Sequence, residues 1–93
     1  MPKIIKLEQA DDGKYKWIAY FDDGRNTRFG SKGADDYTIA KDKEQRERYR
    51  ERHRKDLETG DPHRAGFLSW YILWGESTDM GRNIASYKRR FDL

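Results

Sequence analysis

The sequence predicts an α+β fold, in which a three-stranded antiparallel β-meander over residues 3–30 is followed by a long charged helix and two shorter helices. Three observations predict it. Two Asp-Asp-Gly turns stand one strand length apart, a run of charged helix-forming residues follows them, and a Trp-rich apolar segment lies near residue 70. Because 93 residues suffice for one hydrophobic core only, we expect a single domain over residues 1–93.

The strands are predicted from the turns and from alternating hydrophobicity. Gly13 and Gly24 close the two turns, where a glycine can take a positive φ at little cost. In the middle strand the odd positions form the expected core face, which consists of Tyr15, Trp17, Ala19 and Phe21. The strands are expected at residues 4–9, 14–22 and 25–29.

The helices are predicted at about residues 38–58, 65–74 and 78–91. Thr38 is the expected N-cap of the long helix, and Gly60 with Pro62 ends it. Gly75 ends the second helix, and Ser77 or Thr78 is expected to cap the third. In that last helix the apolar residues recur at helical spacing, at Met80, Ile84, Tyr87 and Phe91.

Composition indicates a folded chain with a charged surface. Charged residues make up 40% of the sequence and apolar residues 34%, which by itself favours disorder. Aromatic residues reach 14% and the net charge is only +3, and both values favour a small aromatic core. The absence of cysteine excludes a disulfide scaffold, a thiol nucleophile and a Cys-ligated zinc site.

Two features bear on the compartment. The longest apolar run, at residues 67–74, is interrupted by Ser69 and is far shorter than the roughly 20 residues that span a bilayer. No basic-then-apolar leader follows Met1. We therefore expect an intracellular protein without membrane contact.

The net charge of the chain resides on the long helix. Residues 41–56 carry eight basic and five acidic side chains, whereas the segments before and after them are balanced. One interpretation is a phosphate-binding stripe assisted by the C-terminal basic cluster. Its candidate nucleic-acid-binding residues are Lys43, Arg46, Arg50, Arg54, Lys88, Arg89 and Arg90.

A strip of glutamates beside those arginines favours other interpretations. Glu44, Glu47, Glu51 and Glu58 fall together on the next strip of the helix, where they would repel phosphates and form ion pairs with neighbouring basic residues. The helix is then a solvated, salt-bridged surface. A third interpretation is that it docks on an acidic protein surface. On its remaining face, Tyr49 and His53 lie one turn apart and are expected to stack.

The Trp-rich segment, residues 65–74, is the strongest structural signal. It is apolar on nearly every side, which is typical of a helix in the core. The alternative is that part of it stays exposed and binds a partner, since Trp and Tyr are common interface anchors. The candidate partner-binding residues are Trp70, Tyr71 and Trp74.

Signals for catalysis are absent from the sequence. The paired aspartates lie in predicted turns, where aspartate is common for structural reasons, so they do not indicate catalytic carboxylates. His53 and His63 have no recognised metal-ligand spacing. We therefore predict a non-enzyme with no catalytic residue, no metal and no cofactor.

Several blocks of the sequence form one ordered pattern: residues 21–24, 29–30, Gly33 with 36–38, 48–56, 61–62, 65–75, 77–78, Ile84 and 88–91. In this pattern the chain, from about residue 15 to its C-terminus, resembles a family of short uncharacterised proteins encoded by large DNA viruses of algae and protists, phycodnavirus-like and mimivirus-like. The resemblance implies no activity and no catalytic residues. It implies a setting, namely an infected eukaryotic cell and, by extension, the virion.

Two function classes remain open on the sequence. One is a small viral structural or accessory protein that binds viral or host proteins, or a second copy of itself, through a sheet edge or the Trp-rich segment. The other is a nucleic-acid-binding protein that uses the basic helix 41–56. The interleaved acids and the low net charge favour the first class.

Overall fold

The predicted meander is present at the start of the chain in the computed structural model, which describes residues 2–93. Strands β1 (Ile4–Gln9), β2 (Tyr15–Phe21) and β3 (Asn26–Ser31) form an antiparallel sheet in the order β1-β2-β3. Gly13 and Gly24 have φ values of +74° and +90°, as the two turns require. The α+β fold class is thereby confirmed.

One face of the sheet carries the core. Ala19 and Phe21 of β2 are buried on it, together with Ile4 of β1 and Phe29 of β3. Ile18 is buried as well, although it points to the opposite face. It pairs with Glu8 and Arg28 on the neighbouring strands, and long charged side chains of this kind can shield an apolar neighbour with their stems.

The long charged helix follows the sheet, but it begins later than predicted. Helix α1 (Tyr37–Ala40) ends at Lys41, whose φ of +55° breaks the helical path, and α2 (Lys43–His53) then starts afresh and continues as a 3₁₀ turn to Thr59. The prediction of Thr38 as N-cap is wrong, because Asp36 and Asp42 cap the two helices through their carboxylates. Ile39 stays 58% exposed on the short α1.

The Trp-rich segment lies at the centre of the molecule. Helix α3 (Ala65–Leu68) runs directly into a π-helical turn over residues 69–73, in which Trp74 N donates to Ser69 O at 3.0 Å. It packs on β3 so closely that a Cβ at Gly30 would stand 2.7 Å from Leu73 Cδ1. It ends at Gly75, as predicted, where a Cβ would stand 2.3 Å from Tyr71 O.

Helix α4 (Met80–Phe91) covers the other side of the Trp-rich segment. Its N-cap is Asp79, which accepts from Gly81 N at 3.0 Å, so the prediction of Ser77 or Thr78 is wrong by one or two residues. Ser77 instead accepts from Asp79 N through its hydroxyl and thereby orients the cap. The predicted apolar face is confirmed, since Tyr87 is buried and Met80, Ile84 and Phe91 pack against the core.

No helix within residues 2–93 has both the length and the apolar character needed to cross a membrane.

Candidate functional site

Two arginines of α2 fasten this helix to the end of the Trp-rich segment. Arg46 Nε donates to Gly75 O, and Arg50 Nη1 donates to Trp74 O, both at 2.7 Å. The last carbonyls of a helix lack partners within it, and they carry the negative end of its dipole. These two side chains therefore satisfy backbone acceptors of the core and hold α2 in place.

An aromatic stack supports the same contact. The Tyr49 ring lies between the His53 ring at 4.2 Å and the Trp74 ring at 4.3 Å, so the predicted Tyr49–His53 stacking is confirmed. Burial raises the pKa of Tyr49 to about 12, because the charged phenolate would lose its hydration there.

Helix α4 presents three arginines on one surface. Arg82 and Arg89 are seven residues apart, and Arg90 lies eight residues after Arg82, so all three fall close to one side of the helix. The residues between them on this side are the small Ala85 and Ser86, which leave a hollow.

This hollow is part of an open cavity of about 560 Å³, which we call the arginine cleft. Its walls are α4, the loop after the Trp-rich segment, and the side chain of Arg50 from α2. Its charged and aromatic lining residues include Arg50, Arg82, Arg89, Arg90, Tyr71 and Glu76.

The arginine cleft is strongly basic. Four guanidinium groups line it and Glu76 is the one acidic residue among the lining residues. Asp79 approaches from the rim, with Oδ2 at 3.8 Å from Arg82 Nε. Burial, followed by the nearby charge of Arg46, lowers the pKa of Arg50 from its usual value. A negative charge placed near Arg50 would act in the opposite direction and favour its charged form.

Two of these arginines lie over aromatic rings. The Arg50 guanidinium lies 4.4 Å from the centre of the Trp70 ring, and that of Arg90 lies 5.2 Å from the centre of the Tyr71 ring. Such contacts stabilise a guanidinium and limit its freedom before a ligand arrives.

The loop of the cleft is fixed by a buried amide. Asn83 Nδ2 donates to Ile72 O at 2.9 Å and to Ser77 O at 2.7 Å, and its Oδ1 accepts from Ser77 N at 3.1 Å. One side chain therefore ties residues 75–77 to both the Trp-rich segment and α4.

The predicted basic residues divide into three groups. Arg50, Arg89 and Arg90 meet in the arginine cleft, as a combined patch requires. Arg46 is only 12% exposed and is used in the contact with Gly75. The remaining three, Lys43, Arg54 and Lys88, are exposed and do not line the cleft.

Sequence reasoning missed Arg82. Its spacing to Arg89, with Ala85 and Ser86 between them, is a weaker signal than the excess of basic residues over residues 41–56. The interpretation of a phosphate-binding stripe along α2 stays a prediction, and in the structure two of its members, Arg46 and Arg50, donate to the backbone carbonyls of Gly75 and Trp74.

The candidate partner-binding aromatics lie mostly in the core. Trp70 and Trp74 are only 5% and 7% exposed, which supports the core interpretation of the Trp-rich segment. Tyr71 is half-buried and lines the arginine cleft. A role of these residues in partner binding stays a prediction, and of the three it is best supported for Tyr71.

A second cavity, of about 420 Å³, lies between the sheet and α2. Lys16 and Asp36 line it and form a buried ion pair, with Nζ 2.6 Å from Oδ2. Asp36 is at the same time the N-cap of α1. This ion pair joins β2 to the start of α1.

Groups of three or more His, Asp or Glu side chains arranged to hold a metal ion do not occur within residues 2–93.

Comparison with known proteins gives a family and no activity. A model of a family of unknown function, DUF5754, matches residues 5–53, which extend from β1 to the end of α2. No curated protein and no solved structure matches the chain. Of the four cleft arginines, Arg50 lies within the matched region. As the match covers just over half of the 93 residues, the chain belongs to this family of unknown function, DUF5754.

Proposed function

We propose that this protein is a non-enzymatic binding protein that acts through protein–protein contacts and holds an acidic segment of its partner in the arginine cleft. The observation that carries the proposal is the convergence of four arginines from two helices on one cavity with one lining glutamate. Clusters of arginine are a common means of recognising acidic peptide motifs.

The shape of the cleft supports a protein partner over a duplex. A cavity of about 560 Å³ has the size of a site for a compact group, within the usual range of roughly 300–1,000 Å³ for ligand pockets. Proteins that follow a duplex backbone distribute about 6–10 phosphate contacts along an extended surface. Here Arg46 and Arg50 are engaged by the core, and Glu44, Glu47 and Glu51 lie exposed on the same helix.

Nucleic acid is the second candidate partner. One observation favours it, namely that Arg50 shares the arginine cleft with Arg89 and Arg90, so that the two basic clusters of the sequence add at this point. Lys88 continues the basic surface in the last turn of α4. A single strand, whose backbone can enter a cleft, fits this arrangement better than a duplex.

The biological context that we propose, a viral infection, depends only on the resemblance of the sequence to short proteins of large DNA viruses. We propose a small accessory or structural protein of a large DNA virus, present in the infected cell and by extension in the virion. Its partners are then viral or host proteins, or a second copy of the chain.

The test is fluorescence anisotropy with three labelled probes: a glutamate-rich peptide, a single-stranded oligonucleotide and a duplex. The cleft variant is the double substitution Arg82→Ala with Arg89→Ala, and the control is Lys43→Ala with Arg54→Ala. Both remove two exposed positive charges, so a general loss of charge affects them equally.

We expect the peptide to bind, and the cleft variant to weaken its binding at least tenfold while the control variant weakens it less than threefold. Loss of two charge-assisted contacts of about 1.5 kcal/mol or more each accounts for this factor. Tight binding of an oligonucleotide, with a steep salt dependence and no binding of the peptide, would replace the proposal by the nucleic-acid alternative. Equal losses in the two variants would exclude the cleft as the site.

A further inference from the structure

We infer that the acidic group recognised by the arginine cleft is the phosphate of a phosphorylated serine or threonine in the partner protein. This inference rests on the proposed function and makes its ligand specific. Three properties of the cleft carry it: its excess of positive charge, the aromatic contacts that restrict two of its guanidinium groups, and the packing of its two lining tyrosines against other side chains.

The charge excess matches a dianion. Four arginines line the cleft, and Glu76 together with Asp79 beside Arg82 offsets two of their charges. Two positive charges are left. A glutamate or aspartate of a partner neutralises one of them, whereas a phosphorylated side chain carries a charge of about −1.5 to −2 at pH 7. The phosphate is therefore the better electrostatic complement of the cleft.

The donors are suited to phosphate oxygens. A guanidinium has five N–H donors in a planar fork, which pairs with two oxygens at once. The bond from Arg50 to Trp74 O uses one of its five donors, and the contacts with Trp70 and Tyr71 restrict Arg50 and Arg90. Binding then costs less side-chain entropy than it would with free arginines.

The aromatic surroundings favour a phosphorylated peptide over a nucleotide. Recognition of a base commonly uses an open ring face for stacking. Among the lining residues Tyr87 is buried, and Tyr71 packs against Phe67, Tyr87 and Phe91 with Arg90 over its ring. Four further lining residues are small and leave room for an extended chain: Gly75, Ser77, Ala85 and Ser86.

The experiment is a titration of the ¹⁵N-labelled protein followed by NMR, including the arginine Nε–Hε signals. The probes are short capped peptides that are identical except for one position, which holds phosphoserine, glutamate or serine. Adenosine monophosphate and inorganic phosphate serve as further probes. NMR reports weak binding as well as tight binding, and it locates the site.

We expect the phosphoserine peptide to bind at least tenfold more tightly than the glutamate peptide, with shifts at Arg50, Arg82, Arg89 and Arg90. The second pKa of phosphate is about 6. Affinity for the phosphoserine peptide should therefore fall as the pH is lowered through about 6, while affinity for the glutamate peptide stays constant over that range. The double variant Arg82→Lys with Arg89→Lys keeps both positive charges but lacks the planar guanidinium donors that pair with two oxygens at once. It should weaken phosphopeptide binding severalfold.

The other outcomes separate this inference from the proposed function. Equal binding of the glutamate and phosphoserine peptides would overturn the phosphate inference and leave the proposed function standing. Binding of neither peptide would overturn both. Equal or tighter binding of adenosine monophosphate or inorganic phosphate would show that the peptide chain contributes nothing, and would overturn the choice of a phosphorylated protein as the ligand.

Discussion

Single polar side chains fix the relative positions of the elements. Asn83 uses both ends of its amide to hold the loop over residues 75–77, and the hydroxyl of Tyr87 donates to Pro62 O inside the core. A buried acceptor has given up its hydration on folding, so the folded state is destabilised when the acceptor loses its donor as well. Each of these bonds therefore contributes more to stability than an exposed bond with the same geometry.

Substitution of Tyr87 by Phe tests this point, since it removes the hydroxyl and keeps the ring. We expect Tyr87→Phe to lower the free energy of unfolding by about 1 kcal/mol, because Pro62 O is left without its donor. The matched control is Tyr20→Phe, whose hydroxyl donates to Glu8 near the surface, where water can replace it. Urea denaturation measures both. A smaller loss for Tyr87→Phe than for Tyr20→Phe would contradict the assigned role.

At the scale of elements, helix capping by side chains prevails over helix propensity at the break between α1 and α2. Residues 38–58 are rich in helix formers, and propensity alone predicts a single helix there. Two aspartates, Asp36 and Asp42, compete by capping separate helices, and Lys41 takes the left-handed conformation between them. A non-glycine residue in that region costs roughly 1–2 kcal/mol.

Substitution of Lys41 by Gly should therefore stabilise the protein. Glycine removes the steric cost and adds entropy to the unfolded chain, so we expect a net gain of about 0.5 kcal/mol in the free energy of unfolding. The same substitution inside the first turn of α2, Lys43→Gly, should instead lower it by up to about 1 kcal/mol. Thermal or urea denaturation compares the two. If both variants lose stability equally, the left-handed break is not where the structure has it.

At the scale of the whole molecule, the sheet, the Trp-rich segment and the outer helices share one core. Two tyrosines make contacts between these elements. Tyr49 joins α2 to Trp74, and Tyr87 joins α4 to the loop before α3. Burial raises the pKa of Tyr49 to about 12, and it also raises the pKa of Tyr87 above its usual value. The folded state thus favours the protonated form of both phenols.

Stability should consequently fall in alkaline solution. Because these pKa values are higher in the folded than in the unfolded chain, the stabilisation is fully present below about pH 10, the ordinary tyrosine pKa, and is lost as the pH rises toward about 12. Urea denaturation in that range measures the loss. The variant Tyr49→Phe should show a shallower decline than the unmodified protein, and an equally steep decline would exclude Tyr49 as a source.

Much of this protein follows from local sequence. The turns at Gly13 and Gly24, the strand positions and the apolar face of α4 depend on neighbouring residues, so pattern and propensity predict them. The burial of the Trp-rich segment follows in the same way, because a segment that is apolar all round can be covered only in the core.

The candidate site, in contrast, was decided by tertiary structure. Arg46 and Arg50 are candidate phosphate-binding residues on the sequence, and in the fold they also donate to the carbonyls of Gly75 and Trp74, which come close only when the chain has folded back. Arg82 becomes a candidate site residue because it lines the same cleft as Arg50, which is far from it in the sequence. The charges along the sequence show which helix or strand is basic, whereas a binding cleft depends on which helices and strands pack together.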